Sequence, residues 1–260
     1  MNAPHSDPTR TAPSAPSELS APRARAGRRL LMQVLVALVP VLAGCAAQRA
    51  HAGAYEDFFD AIARDDAPAV RLLLLRGVTP NSPDRTRGPA LLFAVREKSF
   101  AAAMALLETP LTDVNVRNQV GETPLMYAAL FGELPLVKRL IERGAQVNQS
   151  GWTALHYAAS AGQLSVVQYL LDQHAFIDAL SPNQTTPLMM AAREKHLSVA
   201  QLLIKEGADP SLRNEAGVGA AEYFLRSGDP QSAEWVRQKA TEFLHRYGTK
   251  DRPVPAGGNR

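Results

Sequence analysis

An all-α solenoid of stacked helix-turn-helix units is the fold class this sequence predicts, and three observations predict it. A threonine-led apolar segment occurs three times, as GETPLMYAA at 121–129, GWTALHYAA at 151–159 and QTTPLMMAA at 184–192. A second run follows each one: VKRLIERGA at 137–145, VQYLLDQHA at 167–175 and AQLLIKEGA at 200–208. Both runs place apolar residues at helical spacing, as in Leu125, Ala128 and Ala129 and then Val137, Leu140 and Ile141. Each is too short to be stable as an isolated helix in water, so stability has to come from stacked neighbours.

The chain begins differently. Residues 1–44 open on a Pro, Ser, Ala and Arg-rich stretch with almost no large apolar side chains, which reads as disordered. A basic cluster follows (Arg23, Arg25, Arg28 and Arg29), then an apolar run from Leu30 to Ala43 interrupted by Pro40. This is the pattern of a secretory signal, and the run falls short of the roughly 20 apolar residues that span a bilayer. Its end, Leu42-Ala43-Gly44-Cys45, resembles the lipobox of bacterial lipoproteins at all four positions. The resemblance implies cleavage before Cys45 and a lipid anchor on that residue, the one cysteine in the chain. It also implies a place in the cell envelope facing the periplasm; Ala46 after the cysteine favours the outer membrane over the inner. An uncleaved signal anchor is the other reading, Arg28-Arg29 is also compatible with a twin-arginine route, and the long n-region leaves the start codon open.

Residues 45–53 read as a linker, 54–246 as the repeat domain and 247–260 as a disordered tail. Weaker copies flank the three clear ones, at Phe58 to Asn81, at Leu91 to Asn115 and from Gly217 onward. The loop positions Asn81, Asn115, Asn148, Asp178 and Ser211 are 34, 33, 30 and 33 residues apart, which gives about five units with the outer ones as caps. The Thr-Pro-Leu start, paired short helices and Gly-Ala exit closely resemble the ankyrin repeat, a resemblance that implies an ankyrin-repeat solenoid with β-hairpin loops between its units. The threonines are placed to cap first helices, with Pro124 and Pro187 in the first turn. Gly77, Gly144 and Gly207 mark the exits of second helices, where a left-handed residue is expected; His174 stands at the same place in its unit and should make it the softest.

Charge and chemistry narrow the function. Five of the 28 basic and two of the 25 acidic residues precede Cys45, leaving 23 of each, so the basic footprint that nucleic-acid binding needs is missing. One cysteine excludes an internal disulfide framework and a cysteine-rich zinc site. Neither a His-x-x-x-His pair, a Gly-x-Ser-x-Gly elbow nor a phosphate-cradling glycine loop is present. His156 and His196 fall at histidine positions of the ankyrin pattern, where hydrogen bonding between units is the implied role. The chain is therefore expected to be no enzyme and to need no cofactor or metal.

Recognition of another protein is what the ankyrin resemblance implies, with the chain itself a monomer. Carried over position by position, the recognition face comprises Arg96 and Glu97; Glu122, Leu130 and Phe131; Trp152, Ser160 and Ala161; Thr185, Arg193 and Glu194; Val218 and Arg226. Leu130, Phe131 and Trp152 are large apolar residues on a face that should meet water, which marks an interface unless they fold back onto a neighbouring unit. The loop from Asn148 to Gly151 is three residues shorter than that from Asn115 to Gly121, so a truncated hairpin finger beside Trp152 is expected. An immunity protein that covers a toxic effector, an accessory factor to an envelope enzyme such as one in peroxide defence, and a small hydrolase or ligand receptor are the functions in view.

Overall fold

The computed structural model describes residues 53–81, 84 and 86–248. The stretch expected to be a signal segment, Cys45 and the residues beyond 248 lie outside them. The helices come in consecutive pairs. They are α1 (53–63) with α2 (Ala67–Leu75), α3 (Ala90–Arg96) with α4 (Phe100–Leu106), and α5 (Pro124–Phe131) with α6 (Leu134–Glu142). The remaining pairs are α7 (Ala154–Ser160) with α8 (Leu164–Asp172), α9 (Pro187–Arg193) with α10 (Leu197–Lys205), and α11 (Ala220–Arg226) with α12 (Pro230–Tyr247). The described residues thus hold six pairs rather than about five. The five loop positions read from the sequence are junctions, and five junctions separate six units.

Local chemistry sets the helix ends. Thr123 Oγ1 accepts from the Met126 N–H at 3.4 Å and Thr186 Oγ1 from the Met189 N–H at 3.3 Å, with Pro124 and Pro187 where no helical N–H is needed. The second helices close with a six-to-one bond from Ala145 to Leu140, Ala175 to Leu170 and Ala208 to Leu203, each 2.9 Å. That closure places the intervening residue in the left-handed region: Gly144, Gly207 and, at φ +62°, His174.

The first helices α3, α5, α7, α9 and α11 stack into one layer, and α2, α4, α6, α8 and α10 into a second. Between them Ala128, Ala129, Ala158, Ala159, Ala191 and Ala192 are fully buried, which lets neighbouring first helices approach closely. Val137, Leu140, Val167, Leu170, Ala200 and Leu203 fill the space toward the second layer, also without exposure; each large one contributes about 1.5 to 3 kcal/mol. Phe58, Phe59 and Phe93 seal the first unit, with Phe59 meeting both others at ring centroid distances of 5.7 Å.

Asparagines tie the units along the loop edge. Asn81, Asn115 and Asn148 donate through Nδ2 to the carbonyls of Leu111, Gly144 and His174, and accept through Oδ1 from the N–H groups of Asp113, Gln146 and Phe176. Hairpin fingers project from the same edge. Among the described residues they form isolated bridges, Asp84 with Gly88 and Arg213 with Gly219, rather than strands.

Candidate protein-binding site

The ankyrin-like face is floored by one large side chain from each first helix. Phe93, Tyr127, Tyr157, Met190 and Tyr223 occupy equivalent positions in α3, α5, α7, α9 and α11. The tyrosines are half-buried, with the hydroxyl of each in a hydrogen bond. Tyr127 meets Tyr157 at 6.4 Å and Phe131 at 6.2 Å, and Phe131 meets Phe100 at 6.2 Å, so the rings run on from unit to unit. Sequence reasoning missed Phe93, Tyr127, Tyr157, Met190 and Tyr223. Their equivalence in register was the available signal; each lies inside an apolar run and reads there as core.

Glu122 is placed differently from an outward loop-tip contact. Its carboxylate is turned onto this floor and accepts from Tyr127 Oη, Tyr157 Oη and Asn118 Nδ2, each at 2.6 Å. Burial works to raise its pKa, but the two phenols and Asn118 outweigh it and hold the group below its ordinary value. The phenols shift the other way: burial first, then the hydrogen bond to Glu122, lifts Tyr127 to about 12 and Tyr157 higher still. Glu122 is thus a clamp between two units, anionic and fully engaged.

Thr185 and Val218, expected on this face, are instead buried at 2% and 6% exposure, while most of the other expected residues sort into a centre and two flanks. Leu130 and Phe131 at the end of α5 are half-buried, as are Ser160 and Ala161 at the end of α7. Phe131 is wedged between Phe100 and Tyr127, with Lys98 Nζ 4.8 Å from its ring centre. At the same position on either side stand two exposed ion pairs, Arg96 with Glu97 at 3.3 Å and Arg193 with Glu194 at 2.9 Å. An apolar centre with charged flanks is the anatomy of a protein interface.

Trp152 is also half-buried, its ring 5.3 Å from that of His156 and set edge-on. It lines a pocket of about 380 Å³ together with Val120, Glu122, Met126, Tyr157 and Pro182. Leu130 and Phe131 do not line it; Tyr127 and Tyr157 connect the two features. His156 itself is fully buried, with Nε2 2.9 Å from the Thr185 carbonyl and Nδ1 2.9 Å from Thr153 Oγ1. Burial pushes its pKa down to about 4, so it is a neutral bridge between units. His196 bridges likewise, Nε2 to the Ser160 carbonyl at 3.1 Å. Among the described residues no three His, Cys, Asp or Glu side chains gather to hold a metal, and no helix is long and apolar enough to cross a membrane.

A sequence profile of ankyrin repeats in three copies matches residues 58–150 and 131–214, more than half of the chain. The chain belongs to the ankyrin-repeat family. Similar curated proteins include Ankyrin repeat and SAM domain-containing protein 6 of Mus musculus, 32% identical over 179 residues, or 69% of this chain and 17% of that protein. The same protein of Rattus norvegicus is 30% identical over 167 residues, 64% of this chain and 16% of its own length. Neurogenic locus notch homolog protein 4 of Homo sapiens is 39% identical over 104 residues, 39% of this chain and 5% of that protein. This ankyrin chain therefore spans less than a fifth of the length of each. Ankyrin repeats are modules for binding other proteins.

Proposed function

We propose that this ankyrin protein is a lipid-anchored, periplasm-facing immunity protein that binds a toxic effector through its first-helix face and catalyses nothing. The observation that carries the binding reading is the apolar centre at Leu130 and Phe131 between the self-paired charges of Arg96–Glu97 and Arg193–Glu194. The anchor reading rests on Leu42-Ala43-Gly44-Cys45 and the apolar run before it. A solenoid with a recognition face and no chemistry of its own neutralises an effector by covering it, and an anchor on Cys45 keeps it where such effectors arrive.

Affinity purification of the full chain from detergent-solubilised envelopes tests this, beside a Leu130→Asp variant. One protein is expected to co-purify with the wild type and be lost from the variant while the melting curve is retained. Capture that survives the substitution overturns the binding face. A captured protein harmless to cells lacking this chain moves the role from immunity to accessory factor. For the anchor, a palmitate analogue should label the wild type and not Cys45→Ser; label on the variant ends that reading.

A further inference from the structure

Four of the five loops between units span eight residues from junction to first helix, and the fifth spans five. The three complete fingers from α4 onward are turns of one design. Gly121, Gln184 and Gly217 donate to the carbonyls of Asn118, Ser181 and Asn214 at 3.0, 2.8 and 2.8 Å. The N–H groups of Asn118, Ser181 and Asn214 in turn donate to Glu122, Thr185 and Val218, each at 3.1 Å. Between α6 and α7 that design is absent, and only the Gln149 side-chain amide closes the loop, donating to the Trp152 carbonyl at 2.8 Å.

The consequence is a slot with the walls of a finger still standing. Val120 at the tip of one complete finger lies on one side and Pro182 at the tip of the next on the other. Its floor is Trp152, Met126 and Tyr157. Where two complete fingers are adjacent they bond backbone to backbone, the Glu215 N–H donating to the Asn183 carbonyl at 3.1 Å. In the slot, Ser150 and Gly151 make no hydrogen bond among the described residues, leaving their backbone groups available at the edge.

We propose that this slot receives a β-turn from the protein partner, seated where the missing finger would stand. The proposal rests on the protein-binding reading above. The turn presents its backbone to Ser150 and Gly151, as one finger presents its backbone to the next, and lays one apolar side chain on Trp152. Such a turn carries Gly, Asn or Asp at its left-handed position, as turns of this kind require. Neighbouring fingers serve as the template: the partner completes the row.

A photo-crosslinking residue placed at Ser150, and separately at Leu130, in the full chain within its own cells provides the test. Both positions are expected to capture the same protein, and the Ser150 adduct is expected to map to a Gly, Asn or Asp-containing turn. Two variants fill the slot: one replaces 149–151 with the six residues Val116 to Gly121, and the other is Ser150→Phe. Each should melt no earlier than the wild type and weaken binding about tenfold or more. Capture at Leu130 without capture at Ser150, an adduct on a partner helix, or wild-type affinity in a folded slot-filled variant overturns the slot and leaves the face standing. Capture at neither position overturns both.

Discussion

At Asn81, Asn115 and Asn148 a single side-chain amide gives one hydrogen bond and takes another across a junction; Asp178, in the same place, can only take while it is ionised. Both of its carboxylate oxygens accept from the Asp209 N–H, at 3.2 and 3.1 Å. Burial, with repulsion from Asp209, raises its pKa to about 6 against the Asp209 N–H, which lowers it. The folded state therefore holds this proton more tightly than the unfolded chain, and the stability gained is present below about pH 4 and lost as pH rises through 6. His156 acts in the opposite sense: its folded pKa near 4 lies below the ordinary 6.5, so its contribution is present above 6.5 and lost as pH falls through 4. The two oppose each other between pH 4 and 6. Asp178→Asn should add about 1 kcal/mol at pH 7 and, by removing one of the opposed groups, make stability fall more steeply between pH 6 and 4. Urea midpoints of both proteins at pH 7, 5 and 4 check this; parallel pH profiles would refute it. At His174, held at φ +62°, substitution by glycine should add about 0.5 to 1 kcal/mol in the same assay.

Between paired helices the decisive contacts are the turns. A Cβ on Gly132 would meet the far end of the Gln163 side chain at 2.3 Å, whereas one on Gly162 would meet the His196 ring at 2.6 Å. Each of these side chains also reaches a carbonyl of the preceding unit, Gln163 Nε2 that of Leu130 at 3.2 Å and His196 Nε2 that of Ser160, but the flexible glutamine can bend away from a new Cβ where the rigid imidazole must move as a whole. Both glycines have positive φ, so both alanine variants lose stability, and Gly162→Ala should lose more, by about 1 kcal/mol or above. Equal losses in chemical denaturation would mean that the rigidity of the His196 ring makes no difference. Elements of this kind were legible in the sequence because the repeated Thr-Pro-Leu and Gly-Ala marks fix helix starts and exits by local chemistry. The first and last pairs carry those marks weakly, which is why the unit count fell one short. The candidate site was half legible. Leu130, Phe131 and Trp152 stood out as apolar residues in the wrong place, but the inward turn of Glu122 depends on two tyrosines from different units. Only the stacking brings Tyr127 and Tyr157 onto one carboxylate, and no local pattern encodes that distance.

In the assembled solenoid each pair leans on its neighbours, so stability is a sum of nearest-neighbour interfaces. Removing 217–248 takes away α11 and α12 and uncovers α9, whose Leu188 and Met189 are 1% exposed in the intact array. The shortened chain is expected to keep its helical signal at low urea and unfold at a clearly lower midpoint; an unchanged midpoint would mean that the last pair is an independent appendage. Charge acts on the same whole-molecule scale. Arg96 and Glu97, and Arg193 and Glu194, each carry their own counter-ion beside the apolar centre, and the sequence after Cys45 is balanced. Such a face casts almost no long-range field. A partner approaching it is not steered, and association should proceed at about 10⁵ to 10⁶ M⁻¹s⁻¹, nearly independent of ionic strength. Selection among encounters then falls to residence time: wrong proteins arrive as often as the right one and simply leave sooner.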